Sequence, residues 1–159
     1  MATGHDIAMG LRAAYLSMHR QTNSCLSSHK ITADQFVILA LLSEQDGISQ
    51  QELARRATSD PNTIRAMLIL LENQGLVRRQ RHPDDRRAYS VILTSTGRNT
   101  YAKLLKQVSK LQNQLSNLFR LEEAENLIDF LDRISEAMTH SENHHSQPPS
   151  GTSDTKSKC

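Results

Sequence analysis

Aromatic residues are scarce in this chain: three Phe, three Tyr and no Trp make up 4% of its 159 residues. With 37% hydrophobic residues in all, the core has to come from Leu, Ile, Met and Ala, a set that suits packed helices. Cysteine is as rare. Cys25 and Cys159 lie far apart, which makes neither a disulfide framework nor a zinc pattern. There are six Gly, and they form no Gly-rich phosphate-binding loop. Nor is there a nucleophile–base pair or a metal-ligand spacing, so the expectation is a protein that is not an enzyme and carries no metal or cofactor. No apolar run approaches the ~20 residues of a membrane span. The first residues lack a basic start followed by an apolar stretch, so no signal peptide is expected. A cytoplasmic protein without a membrane partner follows as the expectation. Neither sign of charge dominates: 19 Lys and Arg face 17 Asp and Glu, a net +2.

The charge is unevenly placed. Between residues 51 and 106 stand Arg55, Arg56, Arg65, Arg78, Arg79, Arg81, Arg86, Arg87, Arg98, Lys103 and Lys106, against Glu52, Asp60, Glu72, Asp84 and Asp85. That segment carries roughly +6, while residues 122–136 are acidic, the asymmetry of a DNA face and a non-DNA face.

Helix signals organise the chain. Ile7, Leu11, Ala14 and Met18 recur at helical spacing, predicting a helix over about 6–26. Thr32-Ala33-Asp34-Gln35 is a capping-box pattern flanked by Ile31 and Phe36 as a hydrophobic staple. The following run from Phe36 to Leu42 is apolar on nearly every face and reads as a buried central helix, ended by Asp46-Gly47. Ser49-Gln50-Gln51-Glu52 is a second capping-box pattern, opening a short helix that stops near Ala57. Asp60-Pro61 opens another, with Ile64, Met67, Leu68 and Leu71 inward and Gly75 as its C-terminal stop. Residues 76–81 and 88–93 read as two strands around a hairpin tip at His82-Pro83-Asp84-Asp85, with Tyr89, Val91 and Leu93 alternating with Ser90 and Ile92. Thr94 caps the next helix.

Tyr101, Leu104, Val108, Leu111, Leu115 and Leu118 then step by three and four, a heptad seam. Ala124, Leu127, Leu131, Ile134 and Met138 repeat the pattern. Seams this regular ask for a partner surface. A homodimer supplies one; an intramolecular helical bundle is the alternative. From residue 141 onward core residues are absent, and a disordered tail is expected.

Helix, turn, helix and basic hairpin is the order in which a winged helix-turn-helix grips DNA. The expected fold is mainly α with a small β wing. Residues 31–97 form the DNA-binding domain, and 5–30 and 98–140 form a helical dimerisation region. In such a domain the second helix reads base edges from its N-terminal residues. Here those are Asn62, Thr63 and Arg65, with Ala66 and Ile69 nearby: Asn suits adenine, Arg guanine, and Ala or Ile a thymine methyl. Arg78, Arg79 and Arg81 on the ascending strand suit phosphates. Arg86 or Arg87 at the tip suits a narrow minor groove, with Asp85 holding Arg87 by a charge-assisted bond.

The stretch resembles the multiple-antibiotic-resistance regulator (MarR) family. That family's wing pattern is Asp-x-Arg, five residues, then Leu-Thr, met here by Asp85, Arg87, Leu93 and Thr94, with Gly97 opening the next helix. The run from Leu71 to Val77 matches the family's exit from the recognition helix, and the resemblance covers about 7–138. It implies a homodimeric transcriptional regulator, most often a repressor, on a pseudo-palindromic double-stranded operator. It also implies release when a small molecule, often a phenolic or lipophilic effector, or an oxidant acts; helix facing makes Met9, Ala13, Tyr15, His19 and Leu39 the candidate lining, with ordinary core as the alternative. The family commonly has Thr then Arg where this chain has Arg65 and Ala66, which moves the guanidinium about 100° around the helix. Ile69 stands where a polar residue is usual.

Three weaker signals are weighed against these. Cys25 ends its helix with no Arg or Lys in the four positions before it, and reads as a packed thiol, not a redox sensor. His140, His144 and His145 read as a fraying tail, not a metal site. A winged helix can also dock proteins, so an adaptor without specific DNA binding is the alternative function. The basic wing argues against it.

Overall fold

The computed structural model describes residues 1–85 and 89–144, the side chains of 140–144 excepted. The expectations placed on Arg86, Arg87, His145 and the tail from 145 lie outside the described residues, as do those on the side chains of His140 and His144. Cα packing divides the chain into two units, residues 1–114 and 115–159.

Each helix of the first unit starts where a side chain satisfies its orphan N–H groups. Helix α1 (Gly4–Leu26) opens on a capping box: the Thr3 hydroxyl accepts from the Asp6 N–H at 3.2 Å, and the Asp6 carboxylate accepts from the Thr3 N–H at 2.8 Å. The start lies two residues before the expected one because Thr3 is the cap. A 3-10 turn at Ser27–His29 leads to α2 (Ala33–Glu44), capped reciprocally by Thr32 and Gln35. That bond explains why Gln35 can be buried at 4% exposure: its Oε1 accepts the Thr32 N–H. Helix α3 (Gln50–Arg56) is capped by Ser49, but the expected box is only half made. The Glu52 carboxylate is taken by the Arg55 guanidinium at 2.7 and 2.9 Å instead of turning back to Ser49.

Helix α4 (Pro61–Asn73) starts on Asp60, whose carboxylate accepts from the N–H groups of Asn62 at 3.0 Å and Thr63 at 2.9 Å. It ends in a Schellman turn: the Leu76 N–H reaches the Leu71 carbonyl, the Gly75 N–H reaches the Glu72 carbonyl, and Gly75 takes φ +72°. The turn aims the chain into β2 (Val77–Arg81), which pairs antiparallel with β3 (Tyr89–Leu93) in the register Arg79↔Val91. A third strand, not anticipated from the sequence, is β1 (Ile48–Ser49), pairing with Val91 and Ser90, so the sheet order is β1-β3-β2. Two residues carry no strand period, which is why β1 escapes sequence reading.

Helix α5 (Ser95–Ser116) begins with the Thr94 hydroxyl accepting the Gly97 N–H at 2.9 Å. At Gly97 a Cβ would lie 1.9 Å from the Leu76 carbonyl oxygen, so only glycine lets α5 meet the exit from α4 this closely. One core holds the unit together, with Leu26, Ile38, Leu39, Leu42, Leu53, Ile64, Leu68, Leu71, Val91 and Leu104 at 0% exposure.

The heptad seam of α5 is only partly inside this core. Leu104 and Val108 are buried, whereas Leu115 is 42% exposed, and Leu118 lies past the helix end. In the second unit, α6 (Leu121–His144) runs four residues beyond the boundary expected at 140. Its start is capped by Glu123, which accepts the Arg120 N–H at 2.9 Å. Leu127, Ile128, Leu131 and Met138 are exposed along it.

Candidate nucleic-acid interface

Helical rotation sorts the residues of α4. Ile64, Leu68 and Leu71 are buried against the core. On the opposite side Asn62, Ala66, Ile69 and Asn73 share one exposed stripe, as a rotation of about 100° per residue requires. Ile69 is 40% exposed and its neighbour Leu70 52%. Thr63 is exposed beside the stripe, but its hydroxyl donates to the Asp60 carboxylate. That bond, with the two backbone N–H groups, holds the Asp60 carboxyl below the usual carboxylate range. The side chain expected to read a base therefore serves first as part of the helix cap.

Arg65 stands on the flank of α4 that faces the wing. With Gln50, Glu72, Arg79 and Tyr89 it lines a half-open groove of about 510 Å³ between the helix and the sheet. Sequence reading placed Tyr89 on an alternating strand face with Val91 and Leu93. Val91 and Leu93 are buried, but Tyr89, at the hairpin end, is 50% exposed and borders this groove. Ser90 is the buried neighbour, because β3 is the central strand and is covered on both faces there. Neither Gln50 nor Tyr89 was singled out from the sequence. The signal that would have found Tyr89 is its place two residues after Arg87, where a strand leaves the core.

The basic residues divide into two groups. Arg65, Arg78 and Arg81 are exposed. Arg79 is committed inside the protein: its Nε and Nη2 donate to the Glu72 carboxylate at 3.0 and 2.8 Å, and its backbone N–H donates to the same carboxylate at 3.3 Å. Burial pushes the Glu72 carboxyl up, but these bonds outweigh it and leave the group below its ordinary value. Arg55 and Arg56 are likewise paired, with Glu52 and Glu44. Asp85 is exposed at the hairpin; its expected partner Arg87 lies outside the described residues.

The five residues expected to line an effector site are divided between surface and core. Leu39 is fully buried in the core, while Met9 and Tyr15 on α1 are 52% and 55% exposed. Tyr15 and His19 meet, hydroxyl to Nδ1 at 3.5 Å; Ala13 is exposed, but two residues before Tyr15 it points to a different side of α1. Cys25 is half-buried in the last turn of α1. Among the described residues no group of His, Cys, Asp and Glu could hold a metal ion, and no helix is long and apolar enough to cross a membrane.

Residues 31–89 match the MarR family model. The chain is 36% identical over 95 residues to the HTH-type transcriptional regulator TtmR of Methylorubrum extorquens (strain PA1), covering 58% of this chain and 49% of that protein. It is 32% identical over 104 residues to the uncharacterised HTH-type transcriptional regulator YdgJ of Bacillus subtilis (strain 168), covering 65% and 63%. The chain thus spans from about half to under two thirds of the length of these two relatives. Among solved structures, the repressor CouR bound to a 23-mer DNA duplex superposes with a TM-score of 0.73 at 28% identity, covering 85% of this chain and 99% of that one. A mutant MarR from E. coli complexed with operator DNA superposes with a TM-score of 0.74 at 26% identity, covering 80% and 92%.

Proposed function

We propose that this chain, whose residues 31–89 match the MarR family model, is a MarR-type homodimeric, sequence-specific regulator of transcription that binds double-stranded DNA through α4 and the wing. One observation carries the reading most directly. The outer stripe of α4 is exposed and uncharged, with Asn62, Ala66 and Ile69 on it; Arg65 on the flank of the same helix and Arg78 and Arg81 on β2 are exposed cations. A uniformly charged surface would bind any DNA; a neutral reading stripe flanked by phosphate-seeking cations is suited to choosing among sequences. Two copies related by two-fold symmetry would read half-sites ~10 bp apart on a pseudo-palindrome. Repression, with release by a small phenolic or lipophilic effector, is the mode proposed here. The likeness to the repressor CouR supports the repression; release by an effector rests on the family resemblance of the sequence.

The test is fluorescence anisotropy on the DNA just upstream of this protein's gene, titrated over salt with random duplex as control. Saturation at one dimer per site with a preference of ~10³ or more supports the reading. Equal binding to both duplexes at every salt would end it. The adaptor reading, favoured by the exposed Ile69-Leu70 pair, would then take its place.

A further inference from the structure

The Glu72–Arg79 pair differs from a surface ion pair in what it holds. In the sheet order β1-β3-β2, strand β2 is an edge, with one row of N–H groups lacking a ladder partner. The Arg79 N–H is one of these, and it donates to Glu72 Oε1 at 3.3 Å while the guanidinium forks onto Oε2. The recognition helix thus supplies the acceptor for the free edge of the wing. Both side chains are largely sheltered, at 34% and 26% exposure. Because a backbone group is bound, the strand itself is located, and not merely a side chain. Arg81 lies two residues further along the same strand, about 6–7 Å on, so any shift at Arg79 is carried to it.

We propose that Glu72 is a positioning residue for DNA recognition. It fixes the pitch of the wing against the reading stripe of α4, and Arg79 is the wing's anchor and not a contact to phosphate. The inference rests on the DNA-binding function proposed above. It assigns Arg79 a role different from the one its charge suggests in the sequence.

The probes are a duplex enriched by the full chain from a random-sequence pool and an unenriched duplex, each titrated over salt with the wild type, Glu72→Gln, Arg79→Met and Arg79→Lys. Circular dichroism verifies the fold of each. All three substitutions should lower the ratio of enriched to random affinity roughly ten-fold, with random-DNA affinity little changed. Arg79→Met should leave the salt slope unaltered, since an anchor releases no counterions. Arg79→Lys keeps the charge and loses the fork, so it should fail like Arg79→Met. A salt slope lower by about one in Arg79→Met, with both duplexes weakened equally and Arg79→Lys normal, would make Arg79 a phosphate contact and overturn the inference. An unchanged ratio in Glu72→Gln and Arg79→Lys would overturn it too. If the wild type enriches no duplex, the DNA-binding function itself fails, and the inference with it.

Discussion

Thr58 occupies the turn between the two helices of the helix-turn-helix with φ +51°, a left-handed conformation that a β-branched residue rarely adopts. Its N–H reaches the Arg55 carbonyl and the Ser59 N–H reaches the Ala54 carbonyl, so the turn is a Schellman stop built on threonine where glycine is usual. Thr58→Gly should raise stability by about 1 kcal/mol, the relief of left-handed strain less the added freedom of the unfolded chain. A thermal melt showing no gain would mean that the threonine side chain contributes something its exposed position conceals. Asp60, two residues on, links α4 to pH. Its folded-state affinity for protons is lowered by the Thr63 hydroxyl and the backbone N–H groups of Thr63 and Asn62. A lowered value means that the cap's contribution is fully present above the ordinary carboxylate range and is lost as pH falls through and below it. Asp60→Asn, which caps without titrating, should therefore melt closer to the wild type, or above it, as pH falls from 6 to 3. A gap that stays constant with pH would remove Asp60 from the acid response.

Elements with strong local chemistry were legible before any coordinates. Thr32 with Gln35, Asp60 with Pro61, and Gly75 at its helix stop each satisfy orphan backbone groups within a few residues, and each appears as anticipated. What stayed illegible depends on which of several possible partners a residue takes once the chain is folded. Strand β1 exists only because Val91 and Ser90 lie opposite it. Glu52 leaves its cap because Arg55 competes for it. Arg79 resembles its neighbours Arg78 and Arg81 until α4 places Glu72 against it. The candidate interface was therefore readable as a set of residues, but not as a division of labour among them. Gly97 was noted as a family feature, and its physical reason is the Leu76 carbonyl. Gly97→Ala should destabilise by about 2–3 kcal/mol, the cost of overpacking against backbone. Chemical denaturation giving less than half that would show that α5 can back away.

For the molecule as a whole, the unburied stripe of α6 is the feature that a single chain leaves unsettled. Leu127 at 37%, Ile128 at 59%, Leu131 at 39% and Met138 at 62% exposure form more apolar surface than a lone helix would keep in water. The proposed homodimer would cover it. Leu127→Glu with Leu131→Glu should shift sedimentation from dimer to monomer and abolish tight operator binding together; a dimer that survives both changes would place the interface elsewhere. Within the first unit, Ser49 serves two elements at once. Its backbone pairs with Ser90 in the sheet, and its hydroxyl caps α3. The helix-turn-helix and the described part of the wing are consequently fastened by one residue at the start of α3 and by Glu72 at the end of α4. Their order is established when the chain folds, not when DNA arrives. In a calorimeter, association of these elements with an operator should show a heat-capacity change set by contact area alone, without the excess that accompanies folding on binding.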